Sequence, residues 1–103
     1  MNIELLRKVQ QHIKEEPKRW SFAWGYRTPA SPCGMKACIG GWTLILSGKN
    51  VYDTSAVARE LLDISKEQAD RLFFFWPPEF EEEHSAANAV ARIDRFIETA
   101  GAE

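Results

Sequence analysis

Two cysteines, Cys33 and Cys38, are the residues of this chain whose type and spacing most invite chemistry. Both fall at or near the expected N-terminus of a helix, where unpaired amides and the helix dipole stabilise a thiolate. One of them would then be a nucleophile or a redox-responsive thiol. Their C-x4-C spacing is not the C-x-x-C of thioredoxin-like proteins. Cys38 also shares an apolar stripe with Trp42, which predicts a buried thiol acting as a small hydrophobe. A disulfide between the two is not expected in a reducing cytosol.

Other constellations are thinner. Cys33, Cys38, His12 and His84 could supply four ligands for a tetrahedral zinc ion, but the histidines are isolated and lack the spacing of zinc modules. Cys38 with His84 and Asn88 has the residue types of a cysteine hydrolase, with nothing to bring them together. Glu79, Glu81, Glu82 and Glu83 form a run expected to be solvated, because acid–base carboxylates need contrasting environments and calcium loops need spaced ligands with a central glycine. No P-loop, dinucleotide fingerprint, metalloprotease or hydrolase motif occurs, and no cofactor is expected.

A different kind of signal comes from Lys18, Arg19, Trp20, Phe22, Trp24, Tyr26 and Arg27. Aromatic rings among basic residues can stack on nucleobases. They can equally anchor a protein partner, since Trp, Tyr and Arg dominate interface hot spots. The plainer reading is that the rings fill the core around Gly40-Gly41. Nucleic acid is disfavoured by the overall charge of −2. That total conceals a basic half, +5 over residues 1–50, and an acidic half, −7 over residues 51–103, whose fields largely cancel if the halves pack together.

The elements that must position these residues follow from length and pattern. With 103 residues, 45% of them hydrophobic and 12% aromatic, the chain is expected to form one domain over 1–103 with its own core. No apolar run reaches membrane-spanning length, and the start lacks the pattern of a signal peptide, so a cytoplasmic location is expected. Ile3, Leu6, Val9 and Ile13 mark a first helix, capped by Asn2 and stopped before Pro17. Alternation of Trp20, Phe22, Trp24 and Tyr26 predicts an extended segment without a pairing partner, followed by a loop through Pro29 and Pro32.

Met35, Cys38, Ile39, Trp42, Ile45 and Leu46 predict a second helix with Gly48 just past its end. Gly40-Gly41 inside it costs about 1 kcal/mol per glycine relative to alanine, which implies a close neighbour. A third helix is expected after Asp53 or Thr54, burying Val57, Leu61 and Leu62. Ser65 and Gln68 have the spacing of a capping box for a fourth helix over roughly Lys66 to Phe75, burying Ala69, Leu72 and Phe73. After Trp76-Pro77-Pro78 comes a linker or single turn, with Pro78 suited to its first position. Ser85 caps a last helix with a stripe of Ala86, Val90, Ile93, Phe96 and Ile97, closed by Gly101. The expected fold is all-α, a single domain of about five short helices with an extended aromatic segment before the second.

The stretch Cys33-Gly34-Met35-Lys36-Ala37-Cys38-Ile39-Gly40-Gly41-Trp42 resembles the C-G-T-x-x-C-x-A-G-W-like core of a family of small bacterial and phage-associated proteins. Trp20 before the core, and Leu61-Leu62-Asp63-Ile64, Gln68-Ala69, Leu72-Phe73, Arg92-Ile93 and Phe96-Ile97 after it, extend the similarity over most of the chain. Met35 stands where threonine is common and Gly40 where alanine is common. The resemblance implies a fold and carries no activity with it.

Together these residues point to a small helical protein-interaction module rather than an enzyme. Its contact surface is expected at Trp20, Trp24, Tyr26 and Arg27, and its partner is an unidentified protein. The alternative is a thiol-dependent or redox-responsive protein using Cys33 and Cys38.

Overall fold

A computed structural model describes residues 1–22, 37–49, 55–81 and 84–103. Helix α1, Ile3–Glu15, starts where Asn2 Oδ1 accepts the Leu5 amide at 3.1 Å. The same asparagine donates its own amide to the Leu62 carbonyl at 2.6 Å and its Nδ2 to Leu61. One side chain thus starts α1 and ties it to the end of α3, Ser55–Leu62. The i, i+3, i+4 pattern of α1 buries Leu6, Val9 and Ile13, and Glu16 ends the helix before Pro17.

Helix α2, Ile39–Leu46, is apolar all round and buries Ile39 through Leu44, which makes it the central element. Its one hydroxyl, on Thr43, is satisfied by the Ile39 carbonyl at 2.8 Å. Past its end, Gly48 takes φ +75°, the left-handed turn expected there. Helix α4, Lys66–Phe73, opens on the capping box: Ser65 Oγ accepts the Gln68 amide while Gln68 Oε1 accepts the Ser65 amide. Pro78 begins the single turn α5, Pro78–Glu81, and Ser85 caps α6, Ala86–Glu98.

α1 packs most closely on α6 and on α2, and α3 packs on α2 as well. Leu6, Val9, Ile13, Trp42, Leu44, Leu62, Leu72, Phe73, Ile93 and Phe96 make one continuous core. The α1–α6 seam also carries polar ties. Gln10 Nε2 donates to the Val90 carbonyl and to Asp94, both at 2.9 Å, and Arg7 donates to Gln10 and Asp94 at 2.7 Å. The fold is an all-α globule, and no strand occurs among the described residues.

Several boundaries differ from the sequence pattern. The second helix starts at Ile39 with Cys38 as its cap, because Ala37 and Cys38 are still extended; Met35 lies outside the described residues. The fourth ends at Phe73 rather than Phe75, where the Phe74 and Phe75 amides both turn back to the Asp70 carbonyl. Pro17–Arg19 is a 3-10 turn, and only after it does the chain extend. That extended stretch has a partner after all: Ala37 donates to the Arg19 carbonyl and Ser21 to the Ala37 carbonyl, a parallel bridge of one residue pair. In α6, Ala89 and Arg92 are buried with Ile93 and Phe96, while Ala86, Val90 and Ile97 lie at the core's edge. The expected caps Asp53 and Thr54 and the Pro29–Pro32 loop lie outside the described residues.

Candidate functional site

The bridge at Ala37 holds Trp20 and Phe22 against the α4–α6 connection, where they join an aromatic cluster built on Trp76. Trp76 is buried and its Nε1 donates to the Leu72 carbonyl, which fixes the indole at the end of α4. Trp20 lies near-parallel to it at 6.0 Å, Phe22 meets it edge-on at 5.2 Å, and Phe80 does so at 6.4 Å. His84 closes the group, 3.9 Å from Phe22 with planes 9° apart and 5.2 Å from Trp76. The Trp20 Nε1 donates to the His84 carbonyl at 2.7 Å, so the rings are also tied through the backbone.

Of the rings expected around Gly40-Gly41, Trp24 and Tyr26 lie outside the described residues. Trp20 and Phe22 pack on Trp76 and His84, where the 3-10 turn and the Ala37 bridge direct the chain. Trp20 and Phe22 remain half-exposed and His84 is exposed. Just before Trp76 in the chain, Phe75 is 71% exposed and Phe74 39%. On the other flank, Pro17, Ile13, Ala86, Ala87 and Val90 line an open apolar groove of about 310 Å³ with Lys14 at its edge.

Cys38 is the N-cap of α2. Its Sγ accepts the Gly41 amide at 3.5 Å, and the residue is 1% exposed. The following Trp42 donates its Nε1 to the Arg19 carbonyl at 3.3 Å, while the Arg19 guanidinium lies over the indole at 5.1 Å. Spacing within Cys38-x-x-Gly41-Trp42 therefore has a mechanical meaning: cap, capped amide, and the ring that anchors the incoming chain.

His12 packs against Trp42 with ring centroids 4.1 Å apart, and its Nε2 is buried with no hydrogen-bond partner among the described residues. Desolvation, reinforced by the positive charge of Arg19, lowers its pKa below the usual histidine value. Its imidazole and that of His84 thus sit on different aromatic neighbours, Trp42 and Phe22. Among the described residues no three His, Cys, Asp or Glu side chains gather as a metal would require. Glu79 bonds Arg95 at 2.9 Å, and its own backbone amide and that guanidinium lower its pKa.

Of the residues singled out from sequence, the structure joins Trp20, Phe22 and His84, and it buries Cys38 at a helix start. Trp24, Tyr26, Arg27 and Cys33, with Glu82 and Glu83, lie outside the described residues. Trp76, the centre of the cluster, escaped sequence reasoning because Trp-Pro-Pro reads as a helix stop. A tryptophan buried directly before two prolines was the available signal. Compared with protein-family models, with curated proteins and with solved structures, the chain matches none. Among the described residues no helix is long and apolar enough to cross a membrane.

Proposed function

We propose that this chain is a small protein-interaction module whose docking surface is the aromatic edge formed by Trp20, Phe22 and His84 over Trp76. One observation carries the reading: these rings are assembled and braced by hydrogen bonds, yet left at the surface. A rigid, half-exposed aromatic group offers contact area at little entropic cost, which is the property of interface hot spots. Phe75 is exposed one residue before Trp76, and an open apolar groove lies beside Pro17 and Ala86. A protein partner is favoured over nucleic acid because Phe22 and Trp20 each already give a face to another ring. A cytoplasmic setting, membership of the small bacterial family whose core Cys33–Trp42 resembles, and a contribution from Trp24, Tyr26 and Arg27 belong to the same proposal.

The test is affinity capture followed by a direct binding titration with the recovered protein, using the native chain and His84→Ala and Trp24→Ala/Arg27→Ala variants. The expected result is a partner whose affinity falls at least tenfold in one of the variants. Equal affinity for all three chains overturns the reading.

The thiol alternative rests on one specific observation, the Cys38 sulfur at the start of α2 with an amide directed at it. Cysteine-to-serine replacement at both positions separates the readings, since partner binding survives it in the first and activity is lost in the second.

A further inference from the structure

Trp42 has two basic neighbours. The His12 imidazole packs on it with ring centroids 4.1 Å apart, and the Arg19 guanidinium lies over the same ring at 5.1 Å. The main chain of Arg19 is held there too: its carbonyl accepts the Trp42 indole N–H at 3.3 Å and the Ala37 amide at 3.1 Å. That second bond, with Ser21 donating to the Ala37 carbonyl at 3.2 Å, is the clasp from which Trp20 and Phe22 reach the Trp76 cluster. One indole thus connects His12 to the root of the aromatic edge.

A neutral imidazole suits this place and an imidazolium does not. His12 Nε2 is buried with no hydrogen-bond partner among the described residues, and the tautomer with its proton on Nδ1 puts no N–H there. An imidazolium carries an N–H on both nitrogens, so the one on Nε2 would be desolvated without an acceptor. It would also be a second cation on a ring that Arg19 already covers, which offsets the attraction an indole face offers a cation. On its own helix Glu15 and Glu16 attract the charge, and Lys8 lines the same hollow. Helix α2 brings no charged side chain. Burial first and Arg19 second outweigh the two glutamates and keep the imidazole neutral below the usual histidine pKa.

We propose that protonation of His12 drives Arg19 off Trp42 and opens the Arg19–Ala37 clasp, so that the aromatic edge is presented at neutral pH and dismantled in mild acid. Arg19 is the group that gives way, because it ends a three-residue turn while His12 is fixed within a thirteen-residue helix. Repulsion between the two cations falls as the stretch from Arg19 to Ser21 lifts away. The proposal rests on the docking reading only for its consequence, loss of partner binding in acid; the opening itself belongs to the chain alone.

Proton NMR of the full chain, without partner, tests it as the pH is lowered through the titration of the His12 ring. The Trp20 indole N–H, held by the His84 carbonyl at 2.7 Å, should move toward the position of an exposed indole. It should do so with the midpoint of the His12 ring signals, while helix content by circular dichroism stays level. His12→Gln should keep the Trp20 signal in place, and Arg19→Gln should keep it in place and raise the His12 midpoint. A Trp20 signal that stays put while His12 titrates overturns the proposal, and so does a parallel loss of helix. The same movement in His12→Gln also overturns it, by assigning the change to His84. None of these results touches the docking reading, which fails separately if partner affinity is equal in the edge variants.

Discussion

The imidazole of His84 lies flat on the ring of Phe22, with centroids 3.9 Å apart and planes 9° from parallel. Neither residue belongs to a helix, so the stack joins two connecting stretches: the chain leaving Trp20 and the chain entering α6. Through Trp76, which both rings touch, it also reaches the end of α4. Phe22→Ala removes the middle of this arrangement. The expected cost is about 1–2 kcal/mol, from lost ring area and ring pairing. Urea unfolding measures it, and Trp emission should shift to the red as Trp76 becomes wetter. An unchanged midpoint with unchanged emission would mean that the cluster is not formed in solution.

Cys38 caps α2 through a sulfur acceptor, so the chemistry of position 38 should be graded. Cys38→Ala loses the cap and should cost about 1–2 kcal/mol. Cys38→Ser keeps an acceptor for the Gly41 amide and should cost less than the alanine variant. In a Cys33→Ser background, Cys38 should resist thiol reagents in the native protein and react once unfolded. Rapid native labelling would favour the thiol-dependent reading instead.

The buried face of His12 gives stability a sign with pH. Its folded pKa is lowered below 6.5, first by desolvation and then by Arg19. Between 6.5 and that lower value the unfolded chain binds the proton and the folded chain does not. Stability from this residue is therefore present above pH 6.5 and declines as the pH falls through that window. His12→Gln should flatten the slope of the urea midpoint over the same window. If the slope is identical in both proteins, His12 does not titrate in this way.

Two glycines with positive φ make a controlled pair. At Gly48, φ +75°, an added Cβ meets nothing within 4 Å, so Gly48→Ala should cost only the left-handed strain, about 1 kcal/mol. At Gly101, φ +83°, the Cβ would lie 2.4 Å from Gln68 Nε2 and 3.2 Å from Met1 Cε. Gln68 is half of the α4 capping box, so relieving that overlap disturbs the cap as well. Gly101→Ala should be the more damaging of the two, and thermal midpoints in the reverse order would contradict the packing described here.

Local signals account well for the helices. Asn2, Ser65 and Ser85 announce helix starts because a short side chain reaches an amide only three residues ahead, a relation contained in the chain itself. Pro17 and Pro78, Gly48 and Gly101 act through backbone geometry alone, and they stand where their chemistry requires. The start of α2 was less legible, since Met35 keeps helical spacing with Ile39 and Trp42 while the bridge from Arg19 and Ser21 holds Ala37 extended. Arg92 was not among the expected core positions, because no periodicity argument can foresee that its guanidinium finds the Arg71 carbonyl on another helix.

Fold class, helix order, the caps at Asn2, Ser65 and Ser85 and most core positions were therefore written in spacings of a few residues, where each choice is decided by the chain's own backbone and neighbouring side chains. The aromatic edge was not. Trp20, Phe22, Trp76 and His84 come from three separate stretches, and only packing of α4 against α6, with Ala37 clasping the incoming chain, sets their rings face to edge. Contacts between residues as far apart as Trp20 and His84 depend on where whole helices dock, a property of the assembled core rather than of any local pattern.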